Sequence, residues 1–541
     1  MGSLILKEDA NKIQRLVSYL LFVSLFLLNF IFFNMRKYSG YIFVVFLLAF
    51  SSASMAQKKP NVIFILADDL GYGDISSFNP SSKTATPHID KMVREGRTFT
   101  DAHSPASLCT PTRYGILTGR YGWRSSLKKG VLKHYDPPLI EQGRYTVGKL
   151  FQENEYATAC IGKWHLGWDW PLKNSSYFRD SLRSGNNGPL DRFRIEQLVD
   201  FSKAIENGPI TKGFDYYFGD DVPNYPPYCF FENDRTIGIP TFHKPDSIYG
   251  HPGFMIDNWQ LENVVPAITQ KASNYIKEKA KDEKPFFLYF ALTSPHVPIA
   301  PSEKFKGTSK AGPYGDFVQE TDWAVSEIIK AVSDAHIEDN TIIIFTSDNG
   351  SPGQDGTAMS GQMNSVMKYD HFPNHPFRGM KTDLWEGGHH VPFIVKWPGK
   401  IKPNSTSSET ICHTDFLATC ADLLSAVIPD REAEDSYSIL PLLLGDKKIK
   451  YERPFTVHHS GEGIFAIRKD EWKLIMTGNS GGGLIPSSPE LVNGLPVPIQ
   501  LYNMKSDLAE RKNLYLEYPE KVAELKALLT KSKQSEVVRV K

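Results

Sequence analysis

The residues best suited to chemistry in this chain stand directly after apolar runs that are typical of buried parallel strands. Polar or ionisable side chains follow three such runs: Asp68 and Asp69 after 61–67, His296 after 285–292, and Asp348 with Asn349 after 341–346. One of these alone would be a solvated strand end. Because ligands of open α/β sheets gather beyond the carboxyl ends of the strands, the three together predict one converging site.

A second set of reactive residues lies in the segment 107–120, SLCTPTRYGILTGR. Pro111 is typical of the first turn of a helix, which the pattern predicts to continue to Gly119. Cys109 then stands just before a helix N-terminus, where the dipole and the free N–H groups favour negative charge. Arg113 lies one turn further on and can face the same anion. These residues alone leave open a structural cysteine or a thiolate of low pKa.

The elements that must position these residues alternate between strands and helices. Besides the three runs above, 391–397 is predicted to be a buried strand of the same kind, and 264–281 and 317–336 have helical periodicity. This alternation predicts an α/β fold with a parallel sheet covered by helices on both faces. The stretches 167–260 and 351–378 are rich in Gly, Pro, Asn and aromatic residues, which predicts long loops.

The pattern changes near residue 430. A hairpin is predicted over 465–476, a short strand over 500–503 and an amphipathic helix over 518–533. We therefore predict three parts of the chain: an N-terminal extension with signal peptide over 1–56, a large α/β domain over 57–430 and a C-terminal α+β subdomain over 431–541.

Charge and cysteine content exclude some functions. Among the 541 residues, 61 Lys and Arg balance 61 Asp and Glu, so the net charge gives no footprint for nucleic acid or an anionic membrane. Five cysteines leave at least one unpaired. Cys412 and Cys420 lie on one predicted helix about 12 Å apart, too far for a disulfide, and are expected to be small core residues.

The N-terminus has the composition of a targeting segment. The apolar run 41–50 follows Met35-Arg36-Lys37 and precedes the small residues 51–56, as in a secretory signal cut after Ala56. Met35 is then a candidate start codon, with residues 1–34 ahead of it. The rival prediction, a membrane anchor over 19–33, is shorter than the roughly 20 residues that a span needs. We expect an exported protein, periplasmic or secreted, without a stable membrane anchor.

The motif Cys109-x-Pro111-x-Arg113, followed by Leu-Thr-Gly-Arg, resembles the signature of formylglycine-dependent type I sulfatases, the arylsulfatase-like branch of the alkaline phosphatase superfamily. Further blocks stand in the family's order: NVIFILADDLGYGD from Asn61, GKWHLG from Gly162, SPHVP from Ser294, TSDNG from Thr346, RGMK from Arg378, EGG from Glu386 and LYNMKSD from Leu501. The resemblance covers roughly residues 58–515 and implies a large mixed, mostly parallel sheet between helices, with a small C-terminal α+β domain built on a short antiparallel sheet.

The resemblance also implies two cofactors. Asp68, Asp69, Asp348 and Asn349 match the metal ligands of the family, whose ion is calcium. Carboxylate and amide oxygens suit Ca²⁺ or Mg²⁺ better than zinc. In this family a formylglycine-generating or anaerobic sulfatase-maturating enzyme oxidises the motif cysteine, here Cys109, to formylglycine (3-oxoalanine). A hydroxyl of its gem-diol would complete the metal shell, and Asp74 and Asp355 are rival ligands for which a surface role is expected.

Five cationic or imidazole side chains take roles by analogy with the family. Lys163 and Lys381 contact sulfate, and Arg113 orients the diol and the carboxylates. His296 protonates the departing oxygen, aided by Lys381, and His165 takes the proton of the second hydroxyl so that C–O elimination releases sulfate. His390 departs from the arginine of many relatives. Other histidines are expected mostly at the surface of loops: His243, His251, His371, His375, His389, His458 and His459.

The sequence therefore predicts hydrolysis of sulfate esters. These sequence motifs resemble those of bacterial enzymes that act on polysaccharides or host glycans. The resemblance favours a sulfated carbohydrate as substrate. Aromatic residues of the loop 224–231 suit stacking on a sugar, or equally ordinary loop packing. Two alternatives stay open: a phosphodiester or phosphonate monoester hydrolase of the same superfamily, and a glycan-binding protein with an unmodified Cys109.

Overall fold

The structure is a computed structural model that describes residues 58–173, 189–446 and 451–535. The predicted signal peptide and its cleavage after Ala56 lie outside the described residues. Among those described, no helix is both long enough and apolar enough to cross a membrane. Residues from Lys59 onward form one compact unit, and the division near residue 430 stays a prediction.

Ten strands form the main sheet. In chain order they are β1 (Asn61–Asp68), β2 (Arg97–Phe99), β3 (Ala157–Gly162), β4 (Tyr216–Gly219), β5 (Phe231–Glu232), β6 (Arg235–Thr236), β7 (Phe286–Pro295), β8 (Thr341–Ser347), β9 (Phe393–Lys396) and β10 (Ser405–Ser407). Their order across the sheet is β10-β2-β9-β8-β1-β7-β3-β4-β5-β6. The five strands from β8 to β4 are mutually parallel, which confirms the predicted α/β class.

The helices are, in chain order, α1 (Pro87–Glu95), α2 (Cys109–Thr118), α3 (Val147–Glu153), α4 (Pro189–Leu198), α5 (Val264–Lys279), α6 (Gly312–Asp334), α7 (Ser365–Tyr369), α8 (Glu386–His389), α9 (Asp415–Leu424), α10 (Leu440–Leu444) and α11 (Pro519–Gln534). Helix α6 begins five residues before the predicted start at Phe317, because Pro313 in its first turn is compatible with a helix N-terminus.

Strand β1 shows why the sheet is covered on both faces. Its side chains alternate, so Val62, Phe64 and Leu66 enter the core that contains α2, α3 and α9. Ile63, Ile65 and Ala67 enter the opposite core, which contains α1, α5 and α6. A strand buried on both faces has an unbroken apolar run, and burial of each large side chain contributes about 1.5–3 kcal/mol.

Several strands differ from the sequence prediction, among them β9, β3 and the strands β4 to β6 within the predicted loop 167–260. The predicted parallel strand over 391–397 is wrong in direction, because β9 runs antiparallel to β8. An apolar run reports burial on both faces and carries no information on direction. Strand β3, ATACIG, lies between β7 and β4 and was not predicted, because its small residues lack the Val, Ile and Phe content of its neighbours.

The C-terminal part contains a four-stranded antiparallel sheet of β11 (Thr456–His459), β12 (Phe465–Lys469), β13 (Trp472–Ile475) and β14 (Gln500–Asn503). The predicted hairpin is β12–β13, and α11 packs on this sheet through Leu525 and Leu529. Two-stranded pairs complete the fold: Ala102–His103 with Ile411–Cys412, Phe242–His243 with Phe254–Met255, and Leu491–Val492 with Leu495–Pro496. The C-terminal sheet also touches the segment before α2, where Ser107 N donates to His459 O at 3.1 Å.

All five cysteines are free and buried, so the expectation of small core residues is confirmed for Cys412 and Cys420. The expectation that both lie on one helix is wrong. Cys412 ends a short strand, and only Cys420 lies on α9.

Candidate active site

The carboxyl ends of the parallel strands bring the predicted acids together. Asp68 is the last residue of β1, Asp69 follows it, and Asp348 and Asn349 follow β8, the neighbour of β1. The backbone of Asp69 has φ 65°, a left-handed conformation that Asp tolerates better than most residues. Its N–H donates to Asp348 Oδ1 at 3.1 Å, which ties the two strand ends together.

The four acidic and amide side chains are buried and contain unused acceptors. Each is at most 1% exposed. Asp68 Oδ1 and Asn349 Oδ1 have no hydrogen-bond partner, although the Asn349 amide donates to Asp69 Oδ1 at 2.6 Å. Buried oxygens without donors are costly, so their presence points to a cation at this position. Three carboxylates and an amide oxygen are the ligand types of calcium or magnesium.

Helix α2 positions Cys109 against this acidic set. Cys109 is the first residue of the helix, which ends at Gly119 with φ 64°. The ligand atoms of Asp68, Asp69, Cys109 and His296 lie within 4.8 Å of one another. Burial raises the pKa of the Cys109 thiol to about 12, against the opposing charges of Lys163 and Lys381. The unmodified side chain is therefore a neutral thiol at neutral pH.

Arg113 fixes one side of the acidic set from the next turn of α2. Its Nη2 and Nε donate to Asp348 Oδ2 at 2.8 and 3.2 Å, and Nη2 lies 3.5 Å from Asp68 Oδ1. Nη1 donates to the carbonyl oxygen of Lys163 at 3.2 Å. Burial alone lowers the pKa of Arg113, but Asp348 and Asp68 outweigh it and raise that pKa above its ordinary value.

Two lysines pair with the remaining carboxylates. Lys163 Nζ donates to Asp68 Oδ2 at 2.6 Å and follows Gly162, whose φ of 110° turns the chain at the end of β3. A Cβ at Gly162 would lie 1.8 Å from Ala291 O, so only glycine fits this turn. Lys381 Nζ lies 2.7 and 2.8 Å from the two oxygens of Asp69 and 3.5 Å from Cys109 Sγ.

In each of the two predicted histidines, one ring nitrogen binds a backbone carbonyl and the other does not. His296 Nδ1 donates to Val297 O, and Nε2 lies 3.8 Å from Asp69 Oδ2. His165 Nε2 lies 3.0 Å from Leu132 O and must donate there, so the buried Nδ1, which has no partner, is the acceptor. Burial lowers the pKa of both rings well below the ordinary value, and Lys163 acts in the same direction on each.

One site residue was not predicted from the sequence. Asp221 Oδ1 accepts from the N–H of His165 at 3.1 Å, and burial raises the pKa of Asp221 to about 6. Asp220 and Asp221 directly follow β4, so the rule that found Asp68 could have found them. The strand YYFG is short and lies in a stretch predicted to be loop, which hid the signal.

Asp74 and Asp355 do not have the predicted surface role. Asp74 is fully buried and accepts from Tyr314 Oη at 2.6 Å and from His371 Nε2 at 2.7 Å. Asp355 is 3% exposed and pairs with Lys368 at 3.0 Å. Both carboxylates are paired within the loops around the site, which explains their burial.

The surface prediction is also wrong for several histidines. His371, His389, His458 and His459 are buried, while His251 is exposed at the mouth of a pocket beside the site. His103, His389 and His458 come close enough to hold a metal ion. The rings of His389 and His458, however, stack at 3.9 Å and 11°, so their in-plane lone pairs cannot converge on one ion. This group is a hydrogen-bonded network.

His390 is buried at the end of α8. Its Nδ1 pairs with Glu386 Oε2 at 2.8 Å, Nε2 donates to Thr100 O at 3.0 Å, and the ring stacks on Phe377. Both nitrogens are therefore used, and the ring supports the loop between α8 and β9.

Some aromatic residues of the loop 224–231 pack in the core, and one lies beside the candidate active site. Tyr228 and Phe231 are at most 1% exposed and belong to the core, as ordinary loop packing predicts. Tyr225 instead places its ring edge-on to His165, with centroids 6.1 Å apart.

A mostly parallel sheet with buried acids, three cations and two imidazoles at its carboxyl edge defines an α/β ester hydrolase of the alkaline phosphatase type. Comparison with known proteins supports this class. The family model "Sulfatase" matches residues 60–426, and the model "N-sulphoglucosamine sulphohydrolase, C-terminal" matches residues 380–481. The chain belongs to the sulfatase family and is a sulfuric ester hydrolase.

Individual relatives cover most of the chain. An N-acetylgalactosamine-6-O-sulfatase of Bacteroides thetaiotaomicron is 33% identical over 87% of this chain and 93% of its own length. The human N-acetylgalactosamine-6-sulfatase is 29% identical over 75% of this chain and 70% of its own. A solved B. thetaiotaomicron structure, described under the metabolism of multiple glycosaminoglycans, has a TM-score of 0.74 and 30% identity, covering 88% of this chain and 100% of that one.

Proposed function

We propose that this enzyme hydrolyses sulfate esters of carbohydrates, with residue 109 as formylglycine and one calcium ion held by Asp68, Asp69, Asp348 and Asn349. The observation that carries the proposal is the buried acidic set beside Cys109, in which Asp68 Oδ1 and Asn349 Oδ1 lack donors. Bound calcium would supply fixed positive charge that favours ionisation of the residue 109 hydrate and neutralises sulfate oxygens.

Residue 109 needs chemistry that a thiol lacks. As formylglycine it would supply a hydrated aldehyde, one hydroxyl of which attacks sulfur while the other allows release by C–O cleavage. Its maturation needs a partner, a formylglycine-generating or anaerobic sulfatase-maturating enzyme that oxidises the side chain. Export through the segment 1–56 stays a prediction of the sequence.

The cations would bind the sulfuryl group. An ammonium group has three donors, so Lys163 and Lys381 can each keep the contact with Asp68 or Asp69 and donate another hydrogen to a sulfate oxygen. Donors held in place before the reaction stabilise the charge that develops on the equatorial oxygens. Arg113, bound to Asp348, keeps the acidic set in position.

The two histidines would move protons. Burial, Lys381 and Lys163 lower the pKa of His296 well below its ordinary value. The negative charge of a bound sulfate ester favours the protonated ring, whose Nε2 can protonate the departing sugar oxygen. His165 Nδ1 is a free acceptor and can take a proton from a hydroxyl of residue 109.

A carbohydrate is favoured over a steroid or lipid because relatives that cover most of the chain are N-acetylgalactosamine-6-sulfatases by name. The test compares kcat/KM for sulfated monosaccharides, an aryl sulfate and a phosphodiester, with Cys109→Ala as the control for contaminating activity. We expect the highest kcat/KM for a sugar sulfate. A phosphodiester turned over faster than every sulfate would contradict the proposal.

A further inference from the structure

A pocket of about 880 Å³ opens beside the candidate active site. Its wall includes Leu108 and Thr382, the chain neighbours of Cys109 and Lys381, and Leu132, whose carbonyl binds His165. A sugar joined to the unit that carries the reacting sulfate would therefore lie in this pocket.

The pocket wall carries an excess of positive charge. Its charged residues are Lys128, Lys129, Lys133, Arg192, Asp136 and Glu462. Arg192 pairs with Asp136 at 2.7 Å, and Lys129 lies 3.9 Å from Glu462. Within the described ranges, Lys128 and Lys133 have no carboxylate partner: Lys128 Nζ donates to Trp123 O at 2.9 Å, and Lys133 Nζ reaches only the hydroxyl of Tyr225 at 3.4 Å.

Tyr225 connects Lys133 to the reaction centre. Its ring lies edge-on to His165 at 6.1 Å and also contacts two pocket residues, His134 at 5.4 Å and His251 at 5.0 Å. An anionic group held by Lys133 would thus lie one aromatic ring away from His165.

We propose that this pocket binds the sugar next to the sulfated one and that Lys133, with Lys128, holds an oxyanion on that sugar. The inference rests on the proposed function and narrows its substrate class to acidic oligosaccharides. The oxyanion is a uronate carboxylate or a second sulfate ester, both of which accept hydrogen bonds from an ammonium group.

The test uses matured full-length enzyme and four substrates: N-acetylgalactosamine 6-sulfate alone, and the same unit joined to galactose, to glucuronate or to a sulfated galactose. We expect kcat/KM to be about tenfold higher for an acidic disaccharide than for the neutral one, and to lose this advantage in high salt. Preference for the glucuronate or the sulfated arm identifies which oxyanion binds.

Lys133→Met should reduce the ratio of acidic to neutral kcat/KM towards one, while Lys133→Arg should retain most of it. Lys402→Met, which removes an exposed lysine outside the pocket, is the matched control and should keep the wild-type ratio. Equal kcat/KM for all disaccharides, or an unchanged ratio in Lys133→Met, overturns the inference but leaves the proposed function standing.

Turnover of an aryl sulfate without any sugar sulfate contradicts the proposed function instead. In that case, calorimetry measures how tightly Cys109→Ala binds the same disaccharides. This tests the pocket proposal without depending on turnover. Tighter binding of an acidic disaccharide that depends on Lys133 supports it, and equal binding overturns it.

Discussion

At the scale of single residues, Asn349 distinguishes a metal site from a buried polar cluster. Its Oδ1 has no donor, although its amide nitrogen is satisfied by Asp69. We predict that Asn349→Ala lowers calcium affinity on the order of tenfold or more, because one oxygen ligand is lost. Calorimetric titration of metal-free enzyme measures this directly.

Asn263→Ala is the matched control for that titration, because Asn263 is an exposed amide outside the acidic set. It should bind calcium as tightly as the wild type. If Asn349→Ala also does so, Asn349 is not a ligand and the acidic set needs another explanation.

The sequence predicts a site residue only where that residue directly follows a strand or belongs to a motif. Asp68, Asp348 and His296 each follow a long apolar run, so topology alone brings them together. The pairing of Lys163 with Asp68 depends on the turn at Gly162, and the free Nδ1 of His165 depends on the carbonyl of Leu132. Contacts of this kind are set by tertiary structure and leave no local pattern.

At the scale of elements, Lys473 of β13 connects the C-terminal sheet to α8. Its Nζ lies 2.7 Å from Glu386 Oε1 and 2.8 Å from Glu510 Oε1, and all three side chains are fully buried. Lys473→Met would remove the ammonium group that these two buried carboxylates share. We predict a loss of about 3–5 kcal/mol in the free energy of unfolding, measured in urea.

Lys469→Met tests whether the large stability loss expected for Lys473→Met arises from the burial of its ion pairs. Lys469 lies on the neighbouring strand β12 and pairs with Glu524 at 2.7 Å, but both side chains are about one-third exposed. Its loss should cost about 0.5 kcal/mol or less. Equal effects of the two substitutions would show that the buried triad does not hold the C-terminal sheet in place.

Asp101 makes a second connection to this sheet that depends on pH. Burial raises its pKa, but Arg468 at 2.8 Å, together with His103, outweighs burial and holds the pKa below its ordinary value. The unfolded chain therefore takes up this proton first. The contribution to stability is present above about pH 4 and is lost as the pH falls towards the lower pKa of the folded state.

We predict that Asp101→Asn is less stable than the wild type at pH 7 by about 1–3 kcal/mol. Its unfolding free energy should fall less steeply between about pH 4 and pH 3, because the linked proton is gone. Urea unfolding at a series of pH values measures both effects. Parallel pH profiles for the two proteins would contradict this role of Asp101.

At the scale of the whole molecule, the sequence predicts the class of fold well and its finer topology less well. Parallel strands in the middle of a sheet are buried on both faces, so β1, β7 and β8 have unmistakable apolar runs. The direction of β9 and the existence of β3 depend on partners far away in the chain. His389 and His458 were expected at the surface for the same reason, since their partners His103 and Ser104 are distant in sequence.

The arrangement of the whole molecule places the end of the C-terminal strand β11 against the segment that leads into Cys109. Helix α2, the strand ends of the sheet and this contact together hold residue 109 beside the acidic set. The account therefore depends on what chemical group residue 109 carries.

The most direct test is the mass of the peptide that contains residue 109, isolated from fully active enzyme. The account predicts a mass about 18 Da below that of the unmodified peptide, from conversion of the thiol to an aldehyde before hydration. Peptides that contain Cys160 or Cys412 should keep their unmodified mass. Full sulfatase activity with an unmodified thiol at residue 109 would contradict the account.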